Sequence, residues 1–361
     1  MPRAVLVLVG WLAVAPPVPG DELTVLSFNV WHGLRRGESL WRFPGEPEER
    51  RERRFAAQVE EIRRLDPDLI LLQEVNPNRR GLRRYARALG YTGIGKVASC
   101  GLHLGLLLKI PVNVNEGLAI LARPGLELRR LGSRRLSGNG FCTPSFGLQT
   151  RESRYLLVGS VRHAGREVVV GVTHLFAPPF LPPGFDEGLD RLASVGRVTP
   201  RQRRVIEKRV ARGRERSLVE ARRLLADLER RRRRVGGGRG AAPAILGGDF
   251  NVEPGAPGIL EVERAGYRSL AVGLGFATRD PLANAENYRI AAQRDAPVPT
   301  FGLPELEALL EPRHRIARQI DHLFAAGGWR LVVARRVLDE PVDGLLPSDH
   351  FGLLATLAPA P

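Results

Sequence analysis

The chain has 361 residues, 55 Lys plus Arg against 39 Asp plus Glu and a formal charge of +16, and only Lys96, Lys109 and Lys208 among its cations are lysines. That length buries a full core, and the Pro-rich and Gly-rich stretches are too short to divide it, which excludes a clear multi-domain chain and leaves one domain over residues 21–361. The arginine surplus either favours polyanions, through counterion release from phosphates, or reflects arginine used in place of lysine, and it says nothing about fold.

In chain order, residues 1–20 (MPRAVLVLVGWLAVAPPVPG) carry Arg3, an apolar run from Ala4 to Ala15 and then small and Pro residues, the pattern of a signal peptide or an uncleaved N-terminal anchor. Ala13-Val14-Ala15 resembles a cleavage site, with Pro16 a poor neighbour for it. The run is too short to span a membrane as a mature helix, and Leu102 to Pro111 is interrupted by Lys109, so a soluble, secreted or periplasmic protein is expected. Export leaves Cys100 and Cys142 as either a disulfide or two buried thiols.

Leu23 to Val30 and Asp68 to Val75 read as strands, the second apolar throughout as a strand covered on both faces must be. Between them Phe55, Val59, Ile62 and Leu65 recur at helical spacing, so Glu48 to Leu65 is an amphipathic helix stopped by Pro67. Further strands are expected at Leu118 to Leu121, Tyr155 to Val161, Glu167 to Thr173, Ala244 to Gly247, Ile320 to Phe324, Leu331 to Val337 and Phe351 to Leu357, with a helix around Ser217 to Arg230. Ala177 to Pro200 reads as a mobile or functional loop. Arg230 to Arg234, followed by three glycines, reads as a solvated helix end and flexible linker, or as a phosphate-contacting patch. Many strands with few crossover helices imply mixed sheets layered with helices, an α/β sandwich.

The run Ile245 to Gly255 (ILGGDFNVEPG) turns from strand to polar residues. Strand alternation puts Asp249 and Asn251 on one face and Phe250 on the other, two oxygen ligands on one side of a strand end; an ordinary turn uses the same residue types. Other strands end alike: Asn29, Glu74, His174, Asp321 and the Ser348-Asp349-His350 run each stand at the end of an apolar strand. A shared pocket explains that recurrence better than six separate turns.

The ordered set FNV, LQEV, THLxAP, GDFN, IDHLF and SDH resembles the endonuclease/exonuclease/phosphatase superfamily of metal-dependent phosphoesterases over Leu23 to Leu357. The resemblance implies a DNase I-like α/β fold, a four-layer sandwich of two mixed sheets flanked by helices. It also implies metal-assisted, in-line attack of water on a phosphodiester or phosphomonoester. Mg²⁺, with Mn²⁺ as a substitute, suits such oxygen ligands, and Glu74 is the first candidate to hold it. By the resemblance Asn29 and Asp349 help to hold metal or phosphate, and Asp249 with Asn251 orients water and the phosphoryl group. His350 is then the general base or the phosphate-polarising group, Asp321 fixes its tautomer, and His174 faces the phosphate or the leaving oxygen. His322 alternates with Asp321 and reads as structural; Glu116 has no assigned role; His32, His103, His163 and His314 lack a motif.

His174 followed by Ala177-Pro178 is similar to the secreted nuclease, sphingomyelinase and inositol-phosphatase branches. Expected partners are therefore nucleic acid, a phospholipid headgroup or a phosphorylated small molecule, with the protein a monomer. Peripheral membrane contact would use Phe176, Phe180, Leu181 and Phe185 as an exposed apolar loop. Relatives often carry R-x-x-Q where this chain reads Arg216 to Glu220, which puts a substrate contact there in doubt. A secreted module that binds polyanions without turnover is the reading from another class.

Overall fold

The computed structural model describes residues 21–34, 42–43, 45–104, 108–143, 146–271, 273, 275, 277–291 and 298–360. The expected leader, residues 1–20, lies outside them. In chain order the strands are β1 (Leu23–Asn29), β2 (Leu69–Val75), β3 (Thr92–Ser99), β4 (Leu102–Leu104), β5 (Leu108–Ile110), β6 (Glu116–Ala122), β7 (Arg129–Ser137), β8 (Phe141–Cys142), β9 (Phe146–Leu148), β10 (Arg154–His163), β11 (Arg166–His174), β12 (Ala244–Asp249), β13 (Arg268–Ser269), β14 (Asp321–Ala326), β15 (Trp329–Val337) and β16 (Gly352–Pro359). The helices are α1 (Glu48–Leu65), α2 (Asn78–Leu89), α3 (Phe185–Ser194), α4 (Pro200–Gly236), α5 (Pro257–Arg264), α6 (Ala285–Ala291) and α7 (Pro304–Leu310).

Two six-stranded sheets, ordered β15-β16-β1-β2-β6-β3 and β13-β14-β12-β11-β10-β7, stack face to face, and a four-stranded sheet β5-β4-β9-β8 is added to them. Both large sheets are mixed, because β1 pairs with β2 and β11 with β12 in parallel while their other neighbours run antiparallel. Alternation assigns the faces. Leu23, Val25, Leu69 and Leu71 meet Leu157, Val170, Val172 and Ile245 between the sheets. On the outer face of the first sheet, Leu26, Phe28, Ile70 and Leu72 lie under Val59, Ile62 and Leu65 of α1 and Tyr85 of α2. On the outer face of the second, Val158, Val169, Leu246 and Phe324 lie under Leu224 and Leu228 of α4 and Ile259 of α5. Each fully buried side chain of this size contributes about 1.5–3 kcal/mol, which is why these strands are apolar on both faces. The result is the four-layer α/β sandwich.

Every expected strand is present, with ends shifted by at most a few residues. The helix expected at Ser217 to Arg230 is longer: α4 runs 37 residues from a capping box in which Thr199 and Gln202 satisfy each other's backbone N–H groups. Its first half buries little besides Ile206 and Val210, so the helical period is weak there. Arg230 to Arg234 form the end of this helix, as expected, but the helix continues to Gly236 and passes into a 3₁₀ turn at Gly237–Arg239 where a flexible linker was expected. Arg232 is buried, lies over the Tyr267 ring and donates from Nε to the Ala242 carbonyl at 2.8 Å. The Pro-rich stretch likewise contains α3, whose Phe185 and Leu189 pack with Val198, Ile206 and Val210 and with Leu306 and Leu310 of α7. The exposed apolar loop expected there is therefore not formed: Phe185 is 2% exposed, Leu181 packs on the same cluster, and Phe176 and Phe180 lie under the guanidinium groups of Arg216 and Arg318 at 4.0 and 3.9 Å. Among the described residues no helix is long and apolar enough to cross a membrane.

Cys100 and Cys142 form a disulfide that closes a separation of 42 residues. Loop-closure entropy assigns it about 4 kcal/mol, so Cys100→Ser with Cys142→Ser lowers the urea midpoint by a corresponding amount. Equal midpoints for parent and double variant would show that the bridge does not restrict the unfolded chain.

Candidate active site

Strand register builds the site. In the second sheet His174 lies opposite Asp249 across β11 and β12, and Asp249 lies opposite Asp321 across β12 and β14, so three ionisable side chains stand in a row at neighbouring strand ends. His174 Nε2 is 3.5 Å from Asp249 Oδ2. Phe250 turns the other way into the outer core, as alternation requires, but β12 stops at Asp249 and Asn251 follows at φ +57°. A turn, not a continuing strand, thus places Asn251. Its backbone N–H donates to Asp249 Oδ1 at 2.8 Å, and its amide donates to the Leu175 carbonyl at 3.0 Å.

The first sheet brings Asn29 and Glu74 to the same place. Pairing of β2 with β6 shifts register between Leu72 and Val75, and Glu74 sits in this bulge at φ +61°, a conformation a non-glycine residue adopts only when its surroundings impose it. Asn29 Nδ2 donates to both Glu74 Oε1 and Asp249 Oδ2 at 3.1 Å, tying the two sheets together, while its Oδ1 accepts from the Trp31 N–H at 3.0 Å. Glu74 Oε2 also accepts from the His32 N–H at 3.1 Å. The turn carrying Trp31 and His32 is anchored from α1 and the segment before it, where Arg54 donates to the Val30 carbonyl and forms a buried pair with Glu46 at 2.6 Å.

His350 precedes β16, and its Nδ1 lies 2.7 Å from Asp321 Oδ2, which leaves Nε2 facing Asp249 Oδ2 at 3.9 Å. Thr278 Oγ1 accepts from the Ile320 and Asp321 N–H groups, and Asn284 and Asn287 donate to the Ser348 carbonyl, so both members of this pair rest on a fixed backbone. Burial works against the imidazolium of His350, but Asp321, Asp349 and Asp249 outweigh it and hold the group up to about 10. Burial, then the Asp321 carboxylate, raises Asp249 to about 7, His350 opposing and Glu74 adding to the rise. His322 points away, bonds the Val252 carbonyl at 2.8 Å and stacks against Phe324, which makes it structural.

The donor set fits a hard divalent cation. Glu74, His174 and Asp249 offer ligand atoms within 4.8 Å of one another, as do Asp249, Asp321 and His350. Four carboxylates, Glu74, Asp249, Asp321 and Asp349, are at most 5% exposed, and Asp321 Oδ1 has no hydrogen-bond partner. A cation would relieve that crowding of negative charge.

Three further residues join the site that the motifs did not mark. His32 Nε2 lies 3.3 Å from Glu116 and 3.8 Å from Glu74. Its Nδ1 accepts the Leu34 N–H at 2.8 Å, so a neutral ring carries its proton on Nε2 and turns an N–H, not a lone pair, towards Glu116. Glu116 begins β6, and Arg154 begins β10; with Glu74, Tyr155 and His174 they bound a small cleft. Arg154 is 8% exposed and its Nε has no hydrogen-bond partner. In the place of the family's R-x-x-Q helix residues, buried Glu220 accepts from the Phe176 N–H at 2.7 Å and from Arg216 at 3.1 Å, bracing the segment after His174.

A search of curated proteins found no match. Among solved structures, a humanized D. rerio TDP2 is 17% identical with a TM-score of 0.53, over 93% of this chain and 99% of that one. An endonuclease/exonuclease/phosphatase family protein from Bacteroides thetaiotaomicron is 18% identical with a TM-score of 0.53, over 93% and 94%. The human Nocturnin catalytic domain with bound sulfate is 18% identical with a TM-score of 0.50, over 96% of each chain. These likenesses establish the fold. The model of the Endonuclease/Exonuclease/phosphatase family matches residues 26–350, almost the whole sandwich with every strand end described above, and the chain belongs to that family.

Proposed function

We propose that the protein is an exported, divalent-metal-dependent phosphodiesterase, with Mg²⁺ as its cation and Mn²⁺ as a substitute. The observation that carries this reading is the row His174, Asp249, Asp321 meeting His350, Asn29 and Glu74 between the two sheets. When bound, the cation would supply charge neutralisation at the phosphoryl oxygens. Glu74, a member of the donor set above, would hold it, with Asp349 the second ligand that the family resemblance implies and Asn29 keeping Glu74 and Asp249 oriented. Asp249 accepts the proton of the attacking water. His350 stays an imidazolium, fixed through Nδ1 by Asp321, and directs Nε2–H to the phosphoryl oxygen, so of its two expected roles the polarising one is favoured. Asn251 places the phosphoryl group, and His174 faces the leaving oxygen.

Export is supported by the apolar run in residues 1–20 and by the disulfide, since such bridges persist in oxidising compartments. The nature of the ester is the open choice among nucleic acid, phospholipid headgroup and phosphorylated small molecule. The deciding experiment is hydrolysis of plasmid DNA, sphingomyelin vesicles and an inositol polyphosphate in parallel, with and without chelator. Turnover of one of them that vanishes with chelator and in His350→Ala is the expected result. Failure on all three and on a generic diester, with cation still bound, would replace this reading by a polyanion-binding module.

A further inference from the structure

The sheet β5-β4-β9-β8 has two unlike faces. Register places Leu104 opposite Phe146 and Phe141 opposite Leu148, and because residues two apart share a face, all four project to one side. They are 42%, 37%, 46% and 46% exposed, and the Phe141 and Phe146 rings lie 5.3 Å apart. Val112, just beyond β5, is 51% exposed. One exposed Leu needs no explanation, but a continuous apolar sheet face does. The inner face carries His103, Gly147 and Cys142 instead. A Cβ on Gly147 would approach His103 within 2.5 Å and Cys100 Sγ within 2.8 Å, so this face lies tightly on the disulfide while the apolar one is left outward.

The segments that supply the sheet are cationic. Segments 92–115 and 129–151, which supply this sheet and its flanking strands β3 and β7, contain two lysines and five arginines and no Asp or Glu; Arg135 donates to the Gly140 carbonyl next to Phe141, whereas Lys109 stands opposite His103 and Arg129 pairs with Glu167 at the far end of β7. Burial and then the nearby Arg130, Arg135 and Arg79 hold the Lys96 ammonium below its ordinary value, a sign of how closely these cations are gathered.

The position of this sheet also matters. Cys100 follows Ser99, which pairs with Glu116 at the start of β6, and Glu116 borders the active-site cleft, so the sheet is joined to a strand end beside that cleft. The described chain begins far from it. Asp21, where the described chain begins, accepts from His163 at 2.9 Å, and His163 ends β10 at the side opposite Arg154, about 30 Å away along a strand of this length.

We propose that this apolar face, with its cationic flanks, docks the protein on an anionic lipid surface and sets the cleft against that surface. Phe rings alone would also stack on bases, but Leu104 and Leu148 offer nothing to a nucleic acid, whereas an acyl-headgroup boundary accepts all four side chains and the arginines pair with anionic headgroups. Docking goes beyond the catalytic reading and does not depend on it, because binding to vesicles is measured whether or not hydrolysis follows.

The test is cosedimentation of the full chain with phosphatidylcholine vesicles, with and without phosphatidylglycerol. Binding is expected only with the anionic lipid, to weaken with salt, and to fall at least about tenfold in Phe141→Ser/Phe146→Ser and in Leu104→Ser/Leu148→Ser. Hydrolysis of a soluble diester stays at the parent rate in both variants, which shows that fold and site are intact. Equal binding by parent and variants, or no binding by the parent, overturns the proposal. So does a dimer that these substitutions dissociate, or a DNA complex that they abolish while vesicle binding persists. Loss of soluble-diester hydrolysis in both variants would assign these side chains to support of the site and overturn it too.

Discussion

Asp249→Asn lowers kcat/KM on a soluble diester by about 10³-fold while leaving the metal-free fold at least as stable as the parent, within the range for removing a positioned acid or base. Asp249 is where the groups meet: it accepts from Asn29, lies 3.5 Å from His174 and 3.9 Å from His350, and pairs with Asp321 in the sheet. Asparagine keeps the shape and one acceptor but cannot take a proton from water. The stability half follows from linkage. Asp249 is raised from 3.8 to about 7 by burial first and by Asp321 next. A carboxyl whose folded pKa is raised contributes its stability below the unfolded value and loses it as pH climbs through the folded value. Asparagine removes that loss. Without metal, therefore, the variant's urea midpoint exceeds the parent's most at pH 8, and the gap narrows towards pH 4. A rate within tenfold of the parent, at saturating metal, would remove Asp249 from the mechanism.

The site was legible where a strand periodicity ran into a polar residue, because alternation and register then fix where the side chain goes. His174, Asp249 and Asp321 stand at the ends of largely apolar strands, and pairing sets them side by side. His32 was not legible: it stands in a turn where Trp31 has φ +52°, outside any period, and only the fold brings it to Glu116. Arg154 stood unmarked at the start of β10 because nothing local distinguishes a buried arginine from an exposed one in a chain so rich in them. The strands β4, β5, β8 and β9 are two or three residues long, too short to carry alternation, and the disulfide and pairing that hold them are non-local. Asn251 shows the limit from the other side. Alternation placed it beside Asp249, which it does touch, through a left-handed turn instead of an extended strand.

Glu74→Gln weakens divalent-cation binding by at least about 100-fold, since even partners outside the ligand set commonly cost 10- to 100-fold. Glutamine fits the bulge and keeps an oxygen to accept from Asn29 or from the His32 N–H, but it presents one neutral acceptor where Glu74 presents two charged ones. The consequence is measurable without turnover. Mg²⁺ at 100 times its dissociation constant stabilises the parent by about 2.7 kcal/mol, and the same concentration leaves the variant almost unshifted. Calorimetric titration and thermal melts check the two values independently. The direction in the absence of metal discriminates further. If Glu74 is held in its strained, buried position at φ +61° for the sake of a cation, then neutralising it relieves repulsion with Asp249, and the metal-free variant melts no lower than the parent. A variant that melts lower without metal and still shows the parent's Mg²⁺ shift would make Glu74 a structural acceptor for Asn29 and His32, and the cation would have to be held by Asp249, Asp321 and Asp349 instead.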